Sequence, residues 1–127
     1  MGDMTANFSF GEFACKGETC CGHSSPISRR LVRALELLRL EVGSVPLTIT
    51  SGYRCNVHNK AVGGLPRSKH REGIAADVLT PPHITSKEFA ELAGRVGLFY
   101  KGGIGIYDGF IHVDIRTDSR ARWDSRT

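Results

Sequence analysis

An α+β fold, a small antiparallel sheet with two main helices, is what this sequence predicts, and three observations carry it. Two stretches, residues 31–42 and 89–96, repeat apolar side chains at helical spacing. Four short β-branched or alternating runs lie outside them, too unevenly spaced for a doubly wound parallel sheet. The last two runs meet at Asp108-Gly109, a dipeptide suited to the tight turn of a β-hairpin. At 127 residues the chain reads as a single domain, residues 1–127, large enough for one hydrophobic core.

Residues 1–26 read as an N-terminal arm in which Phe8, Phe10 and Phe13 alternate with small and polar residues and are expected to plug the core. Ser24-Ser25-Pro26-Ile27-Ser28 offers capping hydroxyls before the first helix. In that helix Leu31, Leu35, Leu38 and Val42 form one stripe, and Val32 and Leu37 widen it. Arg29, Arg30, Arg33, Arg39 and Glu41 lie mostly off the stripe, and Gly43 suits the position just past the C-cap.

Pro46-Leu47-Thr48-Ile49-Thr50 is a β-branched strand ending in Ser51-Gly52-Tyr53-Arg54. Residues 56–62 suit a short helix closed by Gly63-Gly64, and a strand over 75–80 is stopped by Pro81-Pro82. Thr85 with Glu88 forms a capping box that opens the second main helix, which carries Phe89, Leu92, Ala93 and Val96 and is expected to stop at Gly97. Strands over 103–107 and 110–116 make the hairpin. Residues 117–127 read as a C-terminal tail that Trp123 pins to the body.

Composition narrows the function. With 40% apolar and 24% charged residues, disordered and fibrous classes are excluded. No apolar run approaches the roughly 20 residues that span a bilayer, so membrane insertion is not expected. The first residues lack a basic start followed by an apolar stretch, so no secretory signal is read. A net charge of +4 favours anionic surroundings such as nucleic acid, anionic lipid or an envelope polymer. The arginines are scattered, however, and no basic helix or aromatic-plus-arginine ladder is present, so specific nucleic-acid binding is not expected. A monomer is the expected state.

Cys15, Cys20, Cys21 and Cys55 contain no Cys-x-x-Cys pair, which excludes a standard zinc ribbon or thioredoxin motif. Three arrangements stay open: a disulfide from Cys55 to the 15–21 loop, a structural metal helped by His23 or His58, or thiols.

The chemistry concentrates at residues 68–77, Ser-Lys-His-Arg-Glu-Gly-Ile-Ala-Ala-Asp. His70 is a neutral nitrogen ligand, Asp77 is a carboxylate, and Gly73 suits a loop that enters a strand between them. On the strand over 110–116 the two-residue period sends Ile111, Val113 and Ile115 to one face and His112, Asp114 and Arg116 to the other. On an ordinary edge hairpin that second face meets solvent. Yet His70, Asp77 and His112 together make a two-nitrogen, one-oxygen set with one open position, the pattern of a catalytic zinc. His112-x-Asp114 also matches the start of a non-haem iron triad, but no histidine follows His112, which sets that chemistry aside.

Four motifs then stand in order: Ser51-Gly52-Tyr53-Arg54, Asn59-x-x-Val62-Gly63-Gly64, Ser68-x-His70-x-x-Gly73-x-Ala75-x-Asp77, and Phe110-Ile111-His112-Val113-Asp114. Together they resemble the zinc D-alanyl-D-alanine carboxypeptidase family. That family also holds murein endopeptidases, vancomycin-resistance dipeptidases and phage endolysins, with hedgehog signalling domains as distant fold relatives. The resemblance covers roughly residues 8–116.

It implies one zinc ion held by His70, Asp77 and His112, a hedgehog-like fold, and a peptidoglycan stem or cross-link peptide as substrate. It assigns Arg54 to the substrate, as a carboxylate clamp or an oxyanion donor, and Ser68 to substrate or to bracing its loop. Many relatives place an acidic general base three residues before the last histidine ligand, where this chain has Gly109. Asp114 is the favoured substitute, as base or as a group orienting a ligand histidine, and Asp108 is the other candidate. Some relatives tie the N-terminal arm to the loop after the arginine motif, which implies a Cys55 disulfide to Cys15 or Cys20. The expected role is a peptidase made in the cytoplasm that acts at the bacterial cell wall, as a phage or prophage lysin or after export by another route. Gly109 supports the alternative, a non-catalytic zinc domain that binds wall peptide or a protein partner.

Overall fold

A computed structural model describes residues 2, 4–17, 27–64 and 68–127. A 3-10 turn at Phe10–Phe13 precedes α1 (Arg29–Glu41), β1 (Ile49–Ser51), α2 (Asn56–Ala61), β2 (Ala75–Leu79) and α3 (Ser86–Ala93). Then come α4 (Gly97–Lys101), β3 (Gly103–Tyr107), β4 (Phe110–Asp114) and β5 (Ala121–Asp124). The strands form one sheet in the order β1-β2-β4-β3-β5, antiparallel except for the parallel β3–β5 pair. The expected α+β class and the hedgehog-like architecture of helices on a small, mostly antiparallel sheet agree with this arrangement.

The two faces of the sheet differ because side chains alternate along each strand. Ala76, Val78, Ile104, Ile111 and Val113 point into the core, where they meet Leu31, Leu35 and Leu38 of α1 and Phe89 of α3. Ser28 caps α1 with its hydroxyl, and Gly43 follows the C-cap at φ +94°, a backbone that favours glycine. Thr85 and Glu88 close the capping box of α3.

Several details differ from the sequence reading. Leu37 does not widen the buried stripe of α1 but is 53% exposed. Gly97 does not stop the second main helix: α3 ends at the Gly94 cap, and Gly97 begins α4. The final strand of the hairpin ends at Asp114 rather than at residue 116. The tail is a strand, because β5 adds to the exposed edge of β3. Those are four helices and five strands among the described residues, where two main helices, a short one over 56–62 and about four strands were expected.

The N-terminal arm is fastened at two points. Phe8 and Phe13 are fully buried with rings 6.0 Å apart, as expected of core plugs. Glu36 of α1 accepts hydrogen bonds from Thr5 Oγ1 (2.6 Å), Asn7 N (2.8 Å) and Asn7 Nδ2 (2.8 Å). Burial pushes the Glu36 carboxyl up, but these hydrogen bonds together with Arg39 outweigh it and hold the group below its usual range. A depressed folded value means the stabilisation is complete above the unfolded value of about 4.3 and is lost as pH falls through the folded one. The urea midpoint is therefore expected to drop between pH 6 and pH 3. In Glu36→Gln protein it should start lower at pH 6 and change less on acidification. An identical acid dependence in the two proteins would remove Glu36 from this role.

Candidate metal centre

Backbone register builds the site on the sheet face opposite the core. One row of partners crosses all five strands: Ser51, Asp77, His112, Gly105 and Trp123. Asp77 and His112 are therefore neighbours because β2 and β4 pair there. His70 arrives from the turn before β2, in which Gly73 takes φ +71°. Its Nε2 lies 3.2 Å from Asp77 Oδ1, and His112 Nδ1 lies 3.3 Å from the same oxygen. The three candidate ligand atoms all lie within 4.8 Å of one another.

Each histidine has its other ring nitrogen engaged. His70 Nδ1 is 2.7 Å from the Gly52 carbonyl, which cannot donate, so an imidazole N–H points there and Nε2 faces the cluster. His112 Nε2 is 2.7 Å from Asp114 Oδ2, which leaves Nδ1 toward Asp77. Outer acceptors of this kind orient metal-ligating histidines and raise their basicity. The donor set fits a divalent cation such as zinc: two oriented imidazole nitrogens and a carboxylate converge in a cluster whose histidines are both buried.

The N-terminal arm supports this geometry at one remove. Tyr53 N donates to Phe13 O (2.8 Å), and a Cβ on Gly52 would lie 2.6 Å from Phe13 Cα, so only glycine lets the arm approach here. The Gly52 carbonyl that holds His70 is thus set by the arm.

Two carboxylates, Asp77 and Asp114, face His112. Burial pushes Asp77 up, but hydrogen bonds and charge from His112 and His70 outweigh it and hold the carboxyl well below its usual range. Asp114 behaves alike: burial raises it, and His112 and Arg116 more than offset that. His112 is pushed down by burial and further up by Asp114 and Asp77, with a net rise. A proton and a divalent cation compete for the same nitrogen, so tight metal binding requires the deprotonated ligand.

Asp114 is fully buried and fully engaged. Arg116 grips both its oxygens, Nε to Oδ1 at 2.8 Å and Nη2 to Oδ2 at 2.7 Å, while Arg116 N donates to Oδ1 at 3.1 Å. Asp108 lies elsewhere, exposed in the hairpin turn, where it accepts from Thr127 N and Oγ1. Gly109, three residues before His112, takes φ +83°, a left-handed backbone that favours glycine.

Arg54 stands at the rim. Its Nη2 is 3.8 Å from Asp77 Oδ2, its Nε donates to Ser51 Oγ (3.3 Å) and its Nη1 to Asn59 Oδ1 (3.1 Å). Asn59 is buried on α2, and Gly64 leaves space for both groups: a Cβ there would lie 2.2 Å from Asn59 Oδ1. This gives Asn59 and Gly64 a physical role, aiming Arg54, that their place in a motif did not reveal. Ser68 Oγ accepts from His70 N (3.3 Å) and so braces the ligand turn.

These groups line a cleft of about 420 Å³. Arg54, Ser68, Lys69 and Arg116 contribute polar walls, and Tyr107, Phe110 and Trp123 contribute aromatic ones. The sequence reading missed the aromatic wall; its readable trace is Gly103-x-Gly105, two glycines on the site face of β3. A Cβ on Gly103 would meet the Asp114 carboxylate at 2.3 Å, and one on Gly105 would meet the Trp123 ring at 2.3 Å.

Cys15 and Cys55 are both buried, with Sγ atoms 3.7 Å apart, a contact longer than the ~2.05 Å of a disulfide bond. Cys55 also caps α2, accepting from His58 N at 3.5 Å. The pairings read for Cys20 and Cys21, and the reading of His23, lie outside the described residues. No helix among the described residues is long and apolar enough to cross a membrane.

A family model described as Peptidase M15 covers residues 6–114, which includes every residue of the ligand cluster. No curated protein matches the chain.

Proposed function

The chain belongs to the Peptidase M15 family, whose members are zinc-dependent metallopeptidases, and from that premise we propose that it hydrolyses peptidoglycan stem or cross-link peptides at the bacterial cell wall. The observation that carries this reading is the convergence of His70 Nε2, Asp77 Oδ1 and His112 Nδ1, with the second nitrogen of each imidazole already held.

In this reading His70, Asp77 and His112 hold one zinc ion. Bound zinc supplies a water acidified toward neutrality and a Lewis acid for the scissile carbonyl. Arg54, fixed by Ser51 and Asn59, presents a guanidinium beside the cluster, where it takes a substrate carboxylate or the developing oxyanion. Ser68 holds the ligand turn and offers its hydroxyl to the peptide. Asp114 keeps His112 oriented; its saturation by His112 and Arg116 suits that task better than collecting a proton. The basic balance of the chain favours approach to anionic wall polymers.

The test is purified protein with zinc on isolated murein, with products identified by mass spectrometry. Loss of terminal D-alanine marks a carboxypeptidase, and cut cross-links or stem peptides mark an endopeptidase. Bound zinc with no new peptide termini would overturn the peptidase reading.

One observation favours a second reading, a zinc domain that binds wall peptide without cutting it. Among the described residues lining the cleft, Asp77 is the only carboxylate, and it belongs to the ligand cluster. The same experiment separates the two, since peptide retained on the zinc-loaded protein without cleavage supports binding alone.

A further inference from the structure

The geometry points to Trp123 as a specificity-determining residue, the apolar wall of the peptide cleft, supplied by a C-terminal strand outside the family match. This rests on the site described above being a peptide site. The match ends at residue 114, whereas Trp123 lies on β5.

Three observations place the indole there. Register sets Trp123 opposite Gly105 and Gly105 opposite His112, so a missing side chain separates the tryptophan from the ligand histidine. The ring crosses that gap: its centroid lies 5.0 Å from the His112 ring, and it occupies the space that any side chain on residue 105 would need. Its orientation is fixed by Nε1–H donating to Tyr107 Oη at 2.9 Å and by the Arg116 guanidinium 5.7 Å from the ring centroid.

What this wall recognises follows from its chemistry. Tyr107 stacks on Phe110 at 4.6 Å and 3°, so the hydrogen-bonded indole extends an aromatic surface along one side of the cleft. Arg54 and Lys69 line the same cleft with positive charge. Such a cleft takes an extended peptide with one apolar face, its methyl or methylene groups lying against the indole, beside a group of negative charge. Trp123 keeps part of its surface open to solvent and hence available to that peptide. A tryptophan serving only to pin the tail has no need to reach across β3 toward His112.

Because Trp123 is the only tryptophan in the chain, its fluorescence reports on the cleft directly. The experiment uses the full chain at saturating zinc with soluble stem peptides released from purified murein. Adding peptide is expected to shift or quench the emission saturably. Trp123→Ala should raise KM about tenfold with kcat within about twofold, the size of one aromatic contact. Gly105→Ala deletes no side chain of the site but displaces the ring, and it should raise KM in the same way, which guards against a Trp123→Ala protein that does not fold. Unchanged emission with peptide, or unchanged KM in both variants of a protein that cleaves murein, overturns the wall while leaving the peptidase reading intact. A wild-type protein that cuts nothing yet shows the saturable emission change overturns the peptidase reading and upholds the wall.

Discussion

His70→Ala protein is expected to lose its metal and, with it, murein hydrolysis. Removing an outer hydrogen-bond partner of a metal ligand costs about 10- to 100-fold in affinity, so deleting the ligand itself should cost more than about 100-fold. His70 Nε2 faces the Asp77 oxygen that His112 also approaches, and no other histidine stands in that cluster among the described residues. Isothermal titration with zinc checks the first part, and release of peptide termini from murein checks the second. The substitution also leaves the Gly52 carbonyl without its 2.7 Å partner, worth about 1–3 kcal/mol if it stays unpaired. Thermal unfolding of the metal-free variant measures that loss separately. A folded His70→Ala protein that binds one zinc with unchanged affinity would show that the metal is held elsewhere.

How much of this was legible in the residues differs with the kind of interaction. The convergence of His70, Asp77 and His112 was readable because ligand chemistry needs particular side chains, and a two-residue strand period already sent His112 and Asp114 to one face. Three helix ends were readable for the same reason, since Ser28, Thr85 and Gly43 act through local backbone, whereas the stop expected at Gly97 falls at Gly94. Long-range packing was not. Leu37 has the right residue type for the buried stripe of α1 yet faces solvent, because only the placement of the sheet and α3 decides how wide that stripe is. Residues 117–127 show weak strand periodicity of their own, and β5 forms because β3 offers an unpaired edge. The aromatic wall depends on that pairing, so Trp123 could be read from sequence as an anchor but not as a neighbour of His112.

Asp114→Asn decides between two roles that the same residue could fill. A general base must meet water, and Asp114 is fully buried with His112 on one oxygen and Arg116 on both. The amide keeps an acceptor for His112 but loses the charge, so the imidazole is held less firmly and the guanidinium loses its partner. Two consequences are expected. Zinc affinity should fall about 10- to 100-fold, the range for outer partners of ligand histidines. Stability should fall by about 1.5–3 kcal/mol, the worth of hydrogen bonds to a charged group. If Asp114 positions His112, excess zinc restores most of the turnover, because the substitution then acts only through occupancy of the site. If Asp114 is the proton acceptor, turnover stays lost with the site saturated. Rates at rising zinc, read beside the titrated affinity, therefore separate positioning from proton transfer. Recovery of turnover at saturation is the expected result, since the carboxylate is committed to its two partners before any substrate arrives.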